Sequence, residues 1–264
     1  MARKIVVTSG KGGVGKTTIC ANLGVYLSRL GFRVVMLDAD IGLNNLDVIM
    51  GVERQVVFDI TDVVSGKCRV RQALVQDQNY PSLYILPSAH SYSASRITGE
   101  HIKNITDIIE HSFDYILIDC PAGVETGFHR AVFPANEALV VVTPHLSSIR
   151  DADKVVGLLS EYDIENKGIV INRMRGDLLL SGEMMNIESI VKALNMPLLG
   201  VIPEDDKVSK MSSDGRIMTD CESARAFTLL SENIHNGCKK IYDCTYKYRG
   251  LLGYLKRSIK KHVG

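Results

Sequence analysis

Short apolar runs recur along the chain, each closed by a polar or turn residue and separated from the next by an amphipathic stretch. Ile5-Val6-Val7, Val34-Val35-Met36-Leu37 and Tyr115-Ile116-Leu117-Ile118 are apolar without alternation, the pattern of parallel strands buried on both faces. Strands are predicted at 3–8, 34–37, 83–86, 115–119, 138–143, 167–171 and 198–202. The spacing of Ile19, Leu23, Tyr26, Leu27 and Leu30 predicts a helix over 17–30, ended at Gly31. Two short helices fit 56–79, and an amphipathic helix fits 102–109. A further helix is expected from about 147 to 162, with Ser147 or Ser148 as its cap, and a long one from 223 to about 242. Strands alternating with helices imply an α/β fold, a doubly wound and mostly parallel sheet flanked by helices.

Composition agrees with one such domain. The 264 residues are 45% hydrophobic and 23% charged, enough to bury a substantial core. No run approaches the eighteen or so apolar residues that span a membrane, and a strand starting at Arg3 leaves no room for a signal peptide. The six cysteines form no C-x-x-C pair, which argues against zinc or iron–sulfur ligation and fits a reducing cytosol. Cys20 and Cys120 are expected to fill core space. The net charge of +1 hides an asymmetry: residues 239–264 hold eight Lys or Arg and one acid, Asp243. The domain is therefore read as 1–243, followed over 244–264 by a flexible linker and basic tail with an anionic partner.

The chemistry concentrates after the first strand. From Gly10 to Thr17 the chain fits G-x-x-x-x-G-K-[ST], the loop whose backbone N–H groups cradle phosphate at a helix N-terminus. Gly10, Gly12, Gly13, Val14, Gly15 and Thr18 would line the anion; Lys16 would reach the β- and γ-phosphates, and Thr17 would face Mg²⁺. Lys11 reads either as a solvated loop lysine or as a lysine given across a dimer to charge developing in phosphoryl transfer. Asp38 and Asp40 follow one buried run, and Asp119 closes another. That position faces ligand in open α/β sheets, so these acids are candidates for holding Mg²⁺ or orienting water. Cys120-Pro121-Ala122-Gly123 could then sense the γ-phosphate. Asn172, after a third strand, offers both donor and acceptor to an adenine edge. Arg150, Asp151 and Asp153 lie on the exposed side of the 147–162 helix, either as a solvated face or as a docking surface.

On a helical wheel Tyr248, Leu251, Leu252, Leu255, Ile259 and Val263 share one arc, and Arg249, Lys256, Arg257, Lys260 and Lys261 fill the other. A basic amphipathic chain end reads as an interfacial membrane helix. Gly250 and Gly253 weaken it in isolation by about 1 kcal/mol each, so it is expected to order on a surface. One tail would bind reversibly, and two on a dimer would gain avidity.

The motifs K-G-G-V-G-K-T-T, D-A-D-I-G-L-x-N-L-D, I-D-C-P-A-G-V-E-T-G, S-S-I-R-D-A-D and G-V-I-P-E-D, with the basic tail, span nearly the whole chain. Together they resemble the septum-site-determining MinD ATPases of the deviant Walker A (MinD/ParA) family. The resemblance implies an ATP- and Mg²⁺-dependent homodimer, cytoplasmic and peripheral on the inner membrane. Its tail would insert through Leu251, Leu252, Leu255 and Ile259, with Lys256, Arg257 and Lys260 on anionic lipid. It would recruit the division inhibitor MinC and, where present, be stimulated by MinE. Lys11 becomes the signature lysine, catalytic with Lys16 and the water-positioning Asp40. Thr17, Asp38 and Asp119 surround Mg²⁺, Asn172 reads adenine, and Arg150, Asp151 and Asp153 mark the partner-docking region. Asn44 stands where the family often has arginine, and the tail lacks phenylalanine. Flagellar-placement ATPases of the FlhG type share this logic but usually carry an extra N-terminal segment. ParA-type partition ATPases bind DNA through basic patches on the body, which here is acidic. A nucleotide-gated scaffold without hydrolysis is the remaining alternative.

Overall fold

A computed structural model describes residues 1–42, 45–88, 97–208, 217 and 221–249. The chain runs β1 (Arg3–Thr8), α1 (Lys16–Arg29), β2 (Val34–Asp38), α2 (Leu46–Met50), α3 (Ile60–Val64), α4 (Val70–Ala73), β3 (Val75–Gln76), β4 (Leu83–Leu86), α5 (Gly99–Ile109), β5 (Tyr115–Asp119) and α6 (Thr126–Val132). It continues through β6 (Glu137–Val142), α7 (Leu146–Leu159), β7 (Asn166–Met174), α8 (Gly176–Ser181), α9 (Ile187–Leu194), β8 (Leu198–Pro203) and α10 (Ser223–Asn236). The eight strands form one sheet in the order β3-β4-β2-β5-β1-β6-β7-β8. Every pairing is parallel except β3 with β4.

Side-chain alternation along the strands divides the interior into two cores. Val6, Val35, Ile116 and Val140 face α5, α6, α7 and α9. Ile5, Met36, Leu117 and Leu139 face α1 and α10. Each such aliphatic side chain, taken from water, contributes about 1.5–3 kcal/mol. Both faces of the central strands are therefore apolar, which is why their sequences do not alternate. β1 stands mid-sheet between β5 and β6. The connections leave it in opposite directions, and the crevice beyond its C-terminal end is where such sheets take ligands.

The expected strands are all present. The 56–79 stretch holds α3 and α4, with Asp59 capping α3 through the Thr61 and Asp62 N–H groups. It also contains the antiparallel edge strand β3, too short to show a period. The N-cap position of α7 is His145, whose side chain makes no capping bond, rather than Ser147 or Ser148; the Ser148 hydroxyl instead accepts from the Thr143 N–H at 3.0 Å. The last helix stops at Asn236, not near 242, because Gly237 takes φ 65°. Beyond it the chain turns back, and the Asn233 side chain holds the Lys240 backbone in both directions. Cys244, Thr245 and Tyr248, assigned by sequence to the linker and tail, are buried, and the Tyr246–Tyr248 turn packs on α8. The lipid-facing candidates Leu251, Leu252, Leu255, Lys256, Arg257, Ile259 and Lys260 lie outside the described residues, as does Asn44. Among the described residues no helix is long and apolar enough to cross a membrane. No disulfide joins any of the six cysteines, and Cys20 and Cys120 lie in the core as expected.

Candidate functional site

The loop from Gly10 to Gly15 joins β1 to α1 on the central crevice. Its path requires glycine at three points. Gly13 and Gly15 have φ of 77° and 93°, a region L side chains avoid. At Gly10 the constraint is space: a Cβ there would lie 2.1 Å from the Asp151 carbonyl of α7. Ser9 steadies the turn, its hydroxyl donating to the Lys11 carbonyl at 2.8 Å. Lys16, first residue of α1, is buried. No acidic side chain lies in the first turn of α1, so the positive end of the helix is left for an anion.

Opposite Lys16 the sheet presents carboxylates. Asp38 and Asp119 are register partners at the ends of β2 and β5, and each is 1% exposed. Burial and the neighbouring Asp119 push the Asp38 carboxyl well above the usual carboxylate range. Burial raises Asp119 too, against a hydrogen bond from Thr17 and the charge of Lys16. Both Asp38 oxygens accept backbone N–H groups, from Asp40 at 2.9 Å and Leu46 at 3.2 Å. Asp38 thus shapes the following turn and aims Asp40. Asp119 differs: its Oδ1 is buried with no hydrogen-bond partner. Such an atom invites an external cation or donor. Among the described residues no three His, Cys, Asp or Glu side chains could hold a metal by themselves. A cation here needs phosphate or water ligands as well, the habit of Mg²⁺. Asp40 is half-buried and raised by burial, with Lys16 and Arg130 pulling it back.

Asn172 closes the other end of the loop. Its amide nitrogen donates to the Val14 carbonyl at 2.8 Å and lies 2.5 Å from where a Gly15 Cβ would stand. A cavity of about 390 Å³ opens beside it, lined by Gly15, Thr18, Asn172, Arg173, Pro203 and Phe227 among others. Arg173 takes φ 58°, an uncommon conformation for a side-chain-bearing residue and one that often marks a functional turn. Lys11 is exposed, with Nζ 3.4 Å from the Ser147 hydroxyl. On α7, Arg150 and Asp153 face solvent, whereas Asp151 is half-buried beside the loop. The phosphate-loop residues, the three acids, Asn172 and the start of α7 therefore converge. Arg130 and Phe227 join them without any motif having marked them; both sit in ordinary amphipathic helices.

The CobQ/CobB/MinD/ParA nucleotide binding domain matches residues 5–218. The septum site-determining protein MinD of Bacillus subtilis (strain 168) is 48% identical over 217 residues, covering 81% of each chain. The chain belongs to the MinD family. It is an ATPase of that family, and the Synechocystis MinD is 44% identical over 234 residues, 89% of this chain and 88% of its own. Among solved structures, the MinC:MinD cell division protein complex of Aquifex aeolicus superposes with TM-score 0.83 at 41% identity, covering 89% of this chain and 96% of that one. The MinD of Pyrococcus horikoshii, complexed with Mg-ADP, gives 0.82 at 31% identity, covering 91% and 99%.

Proposed function

We propose that this chain is a nucleotide-switched ATPase of division placement, which dimerises with ATP, docks on anionic membrane through its basic end and recruits a MinC-type division inhibitor. The observation that carries the catalytic half is the buried Asp38–Asp119 pair set across from Lys16 with one Asp119 oxygen unpartnered. Thr17, Asp38 and Asp119 are the residues that would hold Mg²⁺, which would supply positive charge to the phosphate oxygens. Lys16 and the loop N–H groups bind and orient the phosphates. Asp40, held by its own backbone bonds, orients water for in-line attack. Lys11, on an exposed edge beside α7, serves the nucleotide of a second subunit. Asn172, whose amide nitrogen already supports the loop, has its oxygen left for a base in the adjoining cavity.

The Mg-ADP of the Pyrococcus relative supports the cofactor, and the Aquifex complex supports MinC as partner. Arg150 and Asp153, exposed on α7 beside the nucleotide loop, would contact that partner. For the membrane half the support is the charge pattern of the last residues. Arg249 pairs with Asp243 at 2.8 Å, so the truncation that isolates the tail ends after Arg249. With phosphatidylglycerol-containing vesicles, the full chain should pellet with ATP and stay in solution with ADP, unaffected by competing DNA. Equal pelleting of the truncated chain would overturn the membrane role; release by DNA would favour a partition ATPase.

A further inference from the structure

Arg130 lies on α6, directly after the loop that follows β5. Its guanidinium is half-buried and spans two segments distant in sequence. Nη2 donates to the Ala39 carbonyl at 3.3 Å and Nη1 reaches the Ile97 carbonyl at 3.5 Å. The third donor, Nε, is buried with no hydrogen-bond partner. One turn earlier in the helix, Gly127 leaves room for the loop to fold back: a Cβ there would lie 2.6 Å from Pro121 Cγ and 3.5 Å from Arg130 Nη2. The guanidinium thus meets the turn after β2 and the approach to α5, with Gly127 between it and the loop after β5.

The Ala39 carbonyl belongs to the peptide that joins Ala39 to Asp40. Asp40 is therefore held on three sides. Its N–H is bound by Asp38, its own carbonyl accepts from the Ser88 hydroxyl at 3.2 Å, and the carbonyl before it is bound by Arg130. The Asp38 tie is local and the Ser88 tie comes from a neutral hydroxyl. Arg130 supplies the charged one, from a planar group whose other arm is anchored on the Ile97 carbonyl.

We propose that Arg130 is a positioning residue for hydrolysis, orienting Asp40 and linking it to the loop after β5 across α6. The proposal rests on Asp40 being the carboxylate that orients water. In phosphoryl transfer the protein acts mostly by placement, and a misplacement of about 1 Å can cost about a hundredfold in rate. The free Nε–H gives Arg130 one more donor to offer the Pro121 loop when that loop closes on phosphate. The link would let phosphate occupancy at one strand end set the aim of a carboxylate at another.

The test is single-turnover ATP hydrolysis with the full chain in excess, beside the affinity for a fluorescent ADP analogue, for the parent, Arg130→Met and Asp40→Asn. The expected result is an Arg130→Met rate down at least about tenfold with affinity changed less than about twofold, and Asp40→Asn nearly inactive. Arg130→Leu, which likewise keeps no donor for the Ala39 carbonyl, replaces Arg130→Met if that variant does not fold. A normal rate in the Arg130 variant beside an inactive Asp40→Asn overturns the proposal alone. So does an affinity that falls in step with the rate, which would make Arg130 a structural residue. A normal rate in Asp40→Asn overturns the reading of Asp40, and the role of Arg130 with it.

Discussion

The backbone carbonyl of Asp151 stands 2.1 Å from the place a Cβ would take on Gly10. The first residue of the phosphate loop is thus seated on the second turn of α7, the helix that carries Arg150 and Asp153. Backbone meets backbone there, so neither side can yield by turning a side chain. Movement of the loop on binding or losing phosphate must be felt by α7.

Gly10→Ala forces the loop and α7 apart. The expected cost is about 1–3 kcal/mol of stability, together with weaker nucleotide binding. Urea denaturation and calorimetric titration with ADP measure the two. An unchanged midpoint and affinity would mean that α7 is free to shift.

Lys11 makes one long contact, to the exposed Ser147 hydroxyl at 3.4 Å. Lys11→Ala should therefore leave fold and nucleotide affinity nearly unchanged. What should vanish is the ATP-dependent dimer, read by light scattering after size exclusion, and turnover with it. Normal dimerisation and turnover would reduce Lys11 to a solvated loop lysine.

The Asp38–Asp119 pair makes the metal-free protein sensitive to pH. Both carboxyls are raised, by burial first and, for Asp38, by Asp119 next. The folded pair therefore holds more protons than the unfolded chain. Its stabilising contribution is full below the ordinary carboxylate pKa of about 4 and is lost as pH rises through the raised folded values. In chelator, melting temperature should fall with rising pH above that range, and less steeply for Asp38→Asn. Mg²⁺ with ADP should flatten the slope. Identical slopes in parent and variant would contradict the pair's role.

Phe227 of α10 stacks on Tyr26 of α1 with ring centroids 5.8 Å apart and is 1% exposed. It also lines the cavity beside Asn172. Phe227→Ala should cost about 3–5 kcal/mol, measured by urea unfolding, and weaken nucleotide binding further than the loss of stability explains.

The strands were legible because burial on both faces leaves an apolar run with a sharp polar end, as in Tyr115–Asp119. The phosphate loop was legible because phosphate demands glycine and lysine at set spacing. Helix boundaries were less so: α10 ends where Gly237 turns left-handed, although hydrophobic residues continue past it. Ser148 looked like a cap and proved to be a brace for Thr143, since composition cannot say which N–H a hydroxyl will meet. Arg130 left no trace in the pattern, because its partners are carbonyl groups that every residue possesses. Asp38 was read as a ligand-facing acid; the backbone donors on both its oxygens appear only once the turn to Leu46 is folded.

The sheet order also bears on the chain's synthesis. β1 pairs with β5 and β6, so on the ribosome it has no neighbour until Tyr115–Asp119 has followed it, and its second only after Val142. Contacts of such sequence separation form late and slowly. Until then the glycine-rich loop has no crevice to stand in. A nascent chain shorter than this should be unable to hold nucleotide and should depend on chaperones to cover its apolar first strand.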